Sequence, residues 1–489
     1  MRRLLTLLLG MLAVASSSAC RREPEGTLKV VVIGKQPQLR DPAIAALSAP
    51  DQLLLANVAQ GLVRLDANGN IVPGLAERWN VSDDGLSYIF RIASAKWADG
   101  RSITAPQVAK VIKRYLAGRT QDRLRDSLGA VDDVVAMTDR VIEIRLIAPR
   151  PNLLPLLAQP QLAIVRNGTG TGPFRLSAGA KDQGGGWQLT RDITAPDDQV
   201  ARRDQVLLSG GSAAEAISGF AQGRTDLVLG GTFADLSLVQ RVKLPRGSLR
   251  FDPPSGLFGL IPADKKAGAA DIAMRKLLSQ GIDRDALIAV LAVPNLAPRT
   301  TLLEPGLDGI SPFAAPGWTA TPLQQRLPTL RAQAARMIGT RPDPTIGVAL
   351  PEGPGADLLL RQLQHDWGAL GFRVERTPAS PIATFMLIDE VAPSASPAWF
   401  VRRFQCSFAT QCDPAADKLL EAARTQADPP QRYALVMEAA ALIDDAQLFI
   451  PLTAPVRWSL ASGRIQSFAG NRYARHTLTD LDQRPGSGD

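Results

Sequence analysis

Histidine and cysteine are scarce in this sequence, which limits the chemistry that its side chains can perform. Among 489 residues there are two histidines, His365 and His476, and three cysteines. A side-chain metal site of the zinc type needs several such ligands close together, and a Ser-His-Asp triad needs a histidine beside a nucleophile. The chain also has no G-x-S-x-G or H-E-x-x-H motif. We therefore expect no metal site built from side chains, no cofactor and no enzymatic activity, while binding of a metal chelate through backbone groups and arginine stays open.

Aromatic residues are also few, at 5% of the chain. The formal net charge is +8, but the lysines and arginines are scattered and form no tract interleaved with aromatic residues. Nucleic-acid-binding surfaces usually cluster basic residues on one face, so nucleic acid is not an expected partner. The basic balance fits either a solvated surface or a preference for an anionic ligand. Acidic pairs such as Asp444 and Asp445 are interpreted as surface charge.

Long apolar runs are missing after the N-terminus. Arg2 and Arg3 precede an apolar stretch at residues 4–15, and small residues follow before Cys20. The stretch is roughly half of the about 20 residues that a bilayer span needs, so it predicts a signal peptide over residues 1–19. Small residues directly before a cysteine resemble the cleavage site of bacterial lipoproteins, which predicts a lipid anchor on Cys20. Ordinary cleavage that leaves Cys20 as a free thiol is the alternative.

The other two cysteines, Cys406 and Cys412, are close in sequence. An exported chain folds in an oxidising compartment, where a local disulfide between them is plausible. It would close only a short loop, so we expect it to hold that loop in place rather than add much stability.

Strand and helix patterns alternate along the chain. The β-branched run at residues 28–33 predicts a buried strand. Further on, a strand pattern at 345–350 lies between helix patterns at 328–339 and 356–370. This alternation is typical of α/β proteins.

Trp97 has two interpretations, a stacking platform for a ligand or a plug inside a small sub-domain. A turn at Asp99-Gly100 follows it, and Thr104 with Gln107 forms a capping box that begins a helix. Because a tryptophan at the end of a strand most simply packs beneath the following helix, the plug is favoured.

Four blocks of sequence together resemble one known family. The blocks are NVAQGLVRLDANGNIVPGLAERWNVSDDGLSYIFRIASAKWADGRSITAPQVA at 57–109, GTGPFRL at 170–176, DIAMRKLLSQGIDRDALIAVL at 271–291 and CDPAADKLLEAA at 412–423. In this order they resemble the extracellular solute-binding proteins of family 5, which are the dipeptide-, oligopeptide- and nickel-binding components of ABC importers. The resemblance extends over most of the chain after the signal peptide.

The resemblance implies an α/β, two-lobed periplasmic-binding-protein fold of type II with a ligand cleft between the lobes. The implied units are a linker at 20–27, lobe I at 28–248 and 455–489, an extra sub-domain of lobe I at about 66–170, and lobe II at 249–454. In such proteins the segment around Trp97 belongs to the framework of the sub-domain, away from the cleft.

The resemblance also implies which residues face the ligand. The candidates lie in a loop after the first strand and in the segment 387–399: Lys35, Gln36, Gln38, Arg40, Asp389, Glu390, Ser394 and Trp399. Peptide-binding members hold the peptide's α-amino group with an aspartate, but this chain has Pro393 and Ser394 at the expected place.

The amine anchor is therefore displaced to Asp389 or Glu390, or it is lost and these two residues form a solvated turn. This departure puts ordinary peptide binding in doubt and leaves a less polar or an anionic ligand open. The family's cysteine-bearing loop matches Cys406 and Cys412, which supports their disulfide.

The function implied by the resemblance is capture of a peptide or another small solute in the periplasm. The protein would be a monomer, held at the membrane by a lipid, that delivers its ligand to an inner-membrane ABC permease and its ATPase. One alternative is an exported hydrolase on the same scaffold, against which the missing nucleophile–base pattern argues. The other is a receptor that reports the ligand to a membrane sensor without import.

Overall fold

The structure is a computed structural model. It describes residues 26–97, 99–118, 123–166, 168–178, 186–194, 200–263, 271–310, 315–339, 344–379, 383–465, 467–479 and 481. The predicted signal peptide and Cys20 lie outside the described residues. None of the helices in the described part combines the length and apolarity that a membrane span requires.

The helices and strands follow one another along the whole described chain. The strands are β1 (Leu28–Ile33), β2 (Val63–Leu65), β3 (Ile71–Pro73), β4 (Ala76–Val81), β5 (Ser87–Ile92), β6 (Val131–Thr138), β7 (Val141–Leu146), β8 (Val165–Arg166), β9 (Thr169–Gly170), β10 (Arg175–Ala178), β11 (Trp187–Thr194), β12 (Val200–Gly211), β13 (Leu227–Thr232), β14 (Leu249–Phe251), β15 (Gly256–Pro262), β16 (Thr345–Ala349), β17 (Arg373–Arg376), β18 (Phe385–Val391), β19 (Ile450–Thr453) and β20 (Arg457–Ala461). The α-helices are α1 (Ala49–Val58), α2 (Ala105–Leu116), α3 (Arg123–Ser127), α4 (Leu153–Leu157), α5 (Ala213–Ala221), α6 (Phe233–Gln240), α7 (Ile272–Gln280), α8 (Arg284–Leu291), α9 (Leu323–Ile338), α10 (Pro354–Gly368), α11 (Pro397–Arg402), α12 (Pro414–Thr425) and α13 (Pro429–Asp445).

Lobe I is built on a seven-stranded sheet with the order β10-β11-β12-β1-β13-β20-β14. The predicted strand at 28–33 is confirmed as β1, which pairs in parallel with β12 and β13 at the centre of this sheet. Its alternate residues Leu28, Val30 and Val32 are buried, because side chains along a strand point to opposite faces. β20, from the C-terminal part of the chain, pairs with β13 and β14 and so completes the sheet.

Lobe II is built on a five-stranded sheet with the order β17-β16-β18-β15-β19. β16 pairs in parallel with β17 and β18, and α10 connects β16 to β17. The predicted alternation of strand and helix in this region is therefore confirmed. One predicted boundary differs from the structure. Lobe II is predicted to begin at residue 249, but residues 249–251 form β14, which pairs with β20 in the lobe I sheet. The other predicted bounds of the lobes stay predictions.

The extra sub-domain has its own four-stranded sheet, β4-β5-β7-β6, covered by α2. Trp97 is only 4% exposed within this core, and its Nε1 donates a hydrogen bond to Gln107 Oε1 at 2.8 Å. Gln107 also accepts from the backbone N–H of Thr104, so the capping box that begins α2 is present. Trp97 therefore packs as a plug beneath α2.

The main chain passes between the lobes twice, at residues 252–255 between β14 and β15 and at 454–456 between β19 and β20. An ion pair spans the second crossing: Arg457 Nη1, on β20 of lobe I, lies 2.8 Å from Asp389 Oδ1 on β18 of lobe II. Two adjacent crossings allow two rigid units to rotate about a common axis. The two crossings are therefore the candidate hinge.

A second contact between the lobes joins α6 and α10. Gly355, in the first turn of α10, lies so close to α6 that a Cβ atom added to it would be 1.9 Å from the carbonyl oxygen of Phe233. Only a glycine permits this approach, because any larger residue would force the two helices apart.

Cys406 and Cys412 form a disulfide with a Cα–Cα distance of 5.0 Å. The loop that it closes carries Gln411, whose Oε1 accepts a hydrogen bond from Arg275 Nη1 at 2.7 Å. Arg275 is 2% exposed and also donates to the carbonyl oxygen of Ala446. The closed loop thus supplies one of the partners of a buried arginine.

Candidate ligand cleft between the lobes

The sub-domain of lobe I faces lobe II across a narrow gap. Gln159 Nε2 donates to the carbonyl oxygen of Pro393 at 3.3 Å, and Arg150 Nη2 donates to the carbonyl oxygen of Arg424 at 2.6 Å. Two cavities open beside these contacts, one lined by Gln159 and the other by Arg150. We call them cavity A and cavity B.

Cavity A lies on the lobe I side of the gap. Its polar lining includes Gln52, Gln60, Arg64, Gln159 and Arg475, and its apolar lining comes from β1, α1 and β13. The Arg475 guanidinium donates to the side chain of Gln52, and burial lowers the pKa of Arg475 to about 10. An arginine with that pKa is still charged near neutral pH.

Gln159 contributes to cavity A a side-chain oxygen that can accept a hydrogen bond from a ligand. The side chain is 2% exposed, and its Nε2 donates to the carbonyl oxygens of Pro155 and Pro393. Its Oε1 has no hydrogen-bond partner within the described part of the chain. Since a buried acceptor without a donor is costly, a ligand N–H or O–H at this point would gain a hydrogen bond.

Cavity B lies between the sub-domain and lobe II. The sub-domain contributes Ser127 and the residues around Arg150, and lobe II contributes residues from α11, α12, α13 and the loop before α11. The predicted site residues Ser394, 1% exposed, and Trp399, 9% exposed, both line it. The structure therefore brings these two candidates to the gap between the lobes.

The four candidates after β1 line neither cavity. Gln36 accepts from the backbone N–H of Gly210 at 3.0 Å and donates to its carbonyl oxygen at 2.9 Å. Arg40 donates to Gln38 Oε1 at 2.6 Å and lies 3.3 Å from Asp51. Lys35 is exposed. These contacts hold the loop, and a role for Lys35, Gln36, Gln38 and Arg40 in binding stays a prediction.

Asp389 and Glu390 each face an arginine. Both oxygens of Asp389 accept from Arg457 Nη1, at 2.8 and 3.0 Å, and Glu390 Oε1 lies 3.5 Å from Arg403 Nε. Burial raises the pKa of Asp389, and the attraction of Arg457 opposes this shift. A ligand amine at Asp389 would have to compete with Arg457 for the same carboxylate oxygens. The role of Asp389 as an amine anchor therefore stays a prediction.

None of the arginines and glutamines that line the two cavities is among the ligand-binding residues predicted from the sequence. One of them had a recognisable signal: Arg432 falls on the same face of α13 as the buried Val436, Ala439 and Ile443. A charged residue on an apolar helix face is unusual, because such faces normally pack in a core. Arg150, Gln159, Gln60 and Arg475 lie in loops, where no periodicity marks them.

Within the described part of the chain, each histidine contacts an aspartate, and neither forms a catalytic triad. The His365 side chain is 81% exposed and lies on α10 beside Asp366. His476 is buried against Asp252, with Nε2 and Oδ2 3.2 Å apart. Among the described residues, no three His, Cys, Asp or Glu side chains are placed to hold a metal ion together.

The two lobes, the paired crossings and the cleft define the class of protein: a hinged, two-lobed α/β binding-protein fold. The model for bacterial extracellular solute-binding proteins, family 5 (middle part), matches residues 70–379. The chain belongs to this family.

Curated relatives match the chain over limited segments. A probable deoxycholate-binding periplasmic protein of Escherichia coli, YgiS, is 27% identical over 317 residues, which are 56% of this chain and 56% of that protein. The dipeptide-binding protein DppE of Bacillus subtilis is 31% identical over 122 residues, 22% of each chain. The matched segments thus span about half of the length of these relatives or less.

Solved structures match the whole fold. The Haemophilus influenzae OppA complex with RPPGFSPFR gives a TM-score of 0.76 at 16% identity and covers 94% of this chain and 99% of that chain. The Escherichia coli murein tripeptide binding protein MppA gives 0.75 at 18% identity, with 93% and 97% covered. At these identities the likeness establishes the fold, and it confirms the predicted two-lobed architecture.

Proposed function

We propose that this protein captures a small solute between its lobes in the periplasm and delivers it to an ABC permease and its ATPase. The observation that carries the proposal is a cavity lined by residues of both lobes, which two chain crossings join. The named relatives, a dipeptide-binding protein and a probable deoxycholate-binding periplasmic protein, support solute binding in that compartment. The proposal includes a monomer without a catalytic role, anchored by a lipid on Cys20.

Closure of the lobes is the physical step that the proposal requires. A ligand shifts a hinge equilibrium only if it binds the closed state more tightly than the open one. Residues of both lobes line cavity B, and the carbonyl of Pro393 in lobe II meets Gln159 of cavity A. A solute in this gap makes some of its contacts only when the lobes are closed, and those contacts supply the difference in affinity.

The test begins with the mature protein purified under native conditions. Mass spectrometry of the released small molecules identifies a solute, which is then titrated against ligand-free protein. We expect the solute to raise Tm, because it binds only the folded state, and to reduce the radius of gyration in X-ray scattering. Chemical conversion of the solute would overturn the proposal in favour of a hydrolase.

Delivery is tested with a candidate ABC permease and its ATPase from the same organism, reconstituted in lipid vesicles. We expect the loaded protein to stimulate ATP hydrolysis and solute uptake. Tight solute binding with no stimulation would favour the receptor without import. Mass spectrometry of the processed N-terminus shows directly whether Cys20 carries a lipid.

A further inference from the structure

Cavity B is lined by three arginines that converge from both lobes. Arg150 precedes α4 in the sub-domain, Arg402 ends α11 and Arg432 lies in the first turn of α13. No Asp or Glu is among the residues lining the cavity. The three guanidinium groups therefore give this part of the cleft a concentrated positive charge.

The hydrogen-bond acceptors that the protein offers to these arginines are backbone carbonyl oxygens and not carboxylates. Arg150 donates to the carbonyl oxygens of Pro149 and Arg424 at 2.9 and 2.6 Å, and Arg402 donates to that of Asp126 at 3.3 Å. Within the described part of the chain, no carboxylate forms an ion pair with Arg150, Arg402 or Arg432. Their charge is thus solvated mainly by backbone dipoles, and for Arg402 it is also partly offset by the attraction of Asp126 and Glu421, which lie outside the cavity lining.

Arg432 is the residue that points most directly to a ligand. Its side chain is 7% exposed, and its Nη1 donates to the carbonyl oxygen of Gln426 at 3.2 Å. Its Nη2 is buried and has no hydrogen-bond partner among the described residues. A desolvated guanidinium with a free donor is unfavourable unless an acceptor, preferably an anion, meets it.

Neighbouring charges reinforce this conclusion. Burial lowers the pKa of Arg150 to about 10, and repulsion from Arg402, Arg432 and Arg424 adds to the shift. Arg424 itself lies 3.4 Å from Glu421 and 3.9 Å from Asp126, so its charge is partly offset outside the cavity lining. Arg150 remains protonated near neutral pH, and an anion in the cavity would relieve the repulsion.

We propose that cavity B is an anion subsite, in which Arg150, Arg402 and Arg432 bind a carboxylate or phosphate group of the captured solute. Arginine forks match the paired oxygens of both groups. The cavity has a volume of about 60 Å³, and one water needs about 10–15 Å³ by this measure, so it admits a head group of a few atoms and not a whole peptide. The proposal rests on the proposed function, because it names the chemical class of the solute that the lobes clamp.

The test uses calorimetric titration of the ligand-free protein with inorganic phosphate, glutarate and the uncharged analogue glutaramide. We expect phosphate, glutarate or both to bind and glutaramide not to bind. Preference for glutarate identifies a carboxylate ligand, and preference for phosphate identifies a phosphate ligand. If neither anion binds saturably at millimolar concentrations, the anion subsite is overturned.

Variants then locate the site. Arg432→Gln and Arg402→Gln should each weaken anion binding at least about tenfold, since each loses a charge-assisted hydrogen bond. Arg336→Gln, on the exposed side of α9, removes the same charge elsewhere and should leave binding unchanged. Circular dichroism checks folding; if Arg432→Gln does not fold, Arg402→Gln and the charge-conserving Arg432→Lys decide. Equal affinities in all variants would refute the site.

The two proposals fail in different ways. A co-purified solute that closes the lobes with an affinity insensitive to Arg432→Gln would leave the proposed function standing and remove the anion subsite. Anion binding at the three arginines without any change in the radius of gyration would keep the subsite and remove the proposed capture by closure.

Discussion

At the scale of single residues, burial changes the chemistry of groups that look ordinary in the sequence. Asp444 is predicted to be surface charge, but the structure shows a half-buried carboxyl near the end of α13 that accepts a hydrogen bond from the backbone N–H of Leu302 at 2.9 Å. Burial raises its pKa to about 7, and the adjacent Asp445 adds to the shift by repulsion. The earlier interpretation is wrong because Asp444 lies under the loop that carries Leu302.

Asp444→Asn should stabilise the protein above neutral pH. The pKa of Asp444 is about 7 in the folded protein and ordinary in the unfolded chain, so the folded state binds the extra proton between about pH 4 and 7. Its stability therefore falls as pH rises through this window. Asparagine keeps the acceptor for Leu302 without the charge, so we expect a gain on the order of 1–2 kcal/mol at about pH 8 and none below about pH 4.

Urea denaturation across this pH range measures the difference. Asp445→Asn changes the exposed neighbour and should have the smaller effect, through lost repulsion alone. A stability profile of Asp444→Asn that runs parallel to that of the natural protein would contradict the assigned pKa.

At the scale of elements, the sub-domain depends on one buried aromatic residue. Trp97 fills the space under α2 and bonds Gln107, which in turn caps that helix. Removing the ring would leave a cavity and would also take away the hydrogen-bond donor that holds Gln107, a member of the capping box.

Trp97→Ala should therefore lower the free energy of unfolding by about 3–5 kcal/mol, as for other large-to-small core changes. Trp97→Phe keeps most of the apolar volume and loses only the bond to Gln107, so it should cost clearly less. Denaturant unfolding of both variants checks the order; equal losses would show that the hydrogen bond and not the packing dominates.

A second prediction at this scale concerns the stability that the close contact between α6 and α10 provides. Gly355→Ala introduces a Cβ that would overlap the carbonyl oxygen of Phe233, so we expect a loss of about 1–3 kcal/mol. Gly368→Ala lies in the same helix with no atom within 4 Å of the added Cβ. It should instead stabilise α10 by up to about 1 kcal/mol, because alanine is the better helix former. Thermal unfolding of the two variants compares them, and a neutral Gly355→Ala would show that the helices can separate freely.

At the scale of the whole molecule, a half-buried ion pair joins the two lobes beside the second crossing. Asp389 and Arg457 are each 17% exposed in their side chains and join β18 of lobe II to β20 of lobe I. The pair lies next to the second crossing, so it helps to fix the relative position of the two lobes at the point where single segments of the chain connect them.

Asp389→Ala should destabilise the protein by about 1–3 kcal/mol, because Arg457 loses its buried acceptor. Glu375→Ala removes an exposed partner of Arg373 and should change stability by less than about 1 kcal/mol. Denaturant unfolding without ligand gives both values. A normal stability of Asp389→Ala, combined with lost binding of amine ligands alone, would instead support the amine anchor.

The sequence alone determined the α/β class, the elements β1, β16 and α2, and the family. The class and the elements follow from local periodicity, capping residues and turns, and each of these signals spans fewer than about twenty neighbouring positions. The family follows from the resemblance of four longer blocks of sequence to known members. Only the tertiary structure decided that Asp389 meets Arg457, that Asp444 is half-buried beneath the loop of Leu302, and that Arg150, Arg402 and Arg432 line one cavity. Those groups are separated by up to hundreds of residues, and their proximity depends on how two sheets and a sub-domain pack, for which no local pattern in the sequence carries a signal.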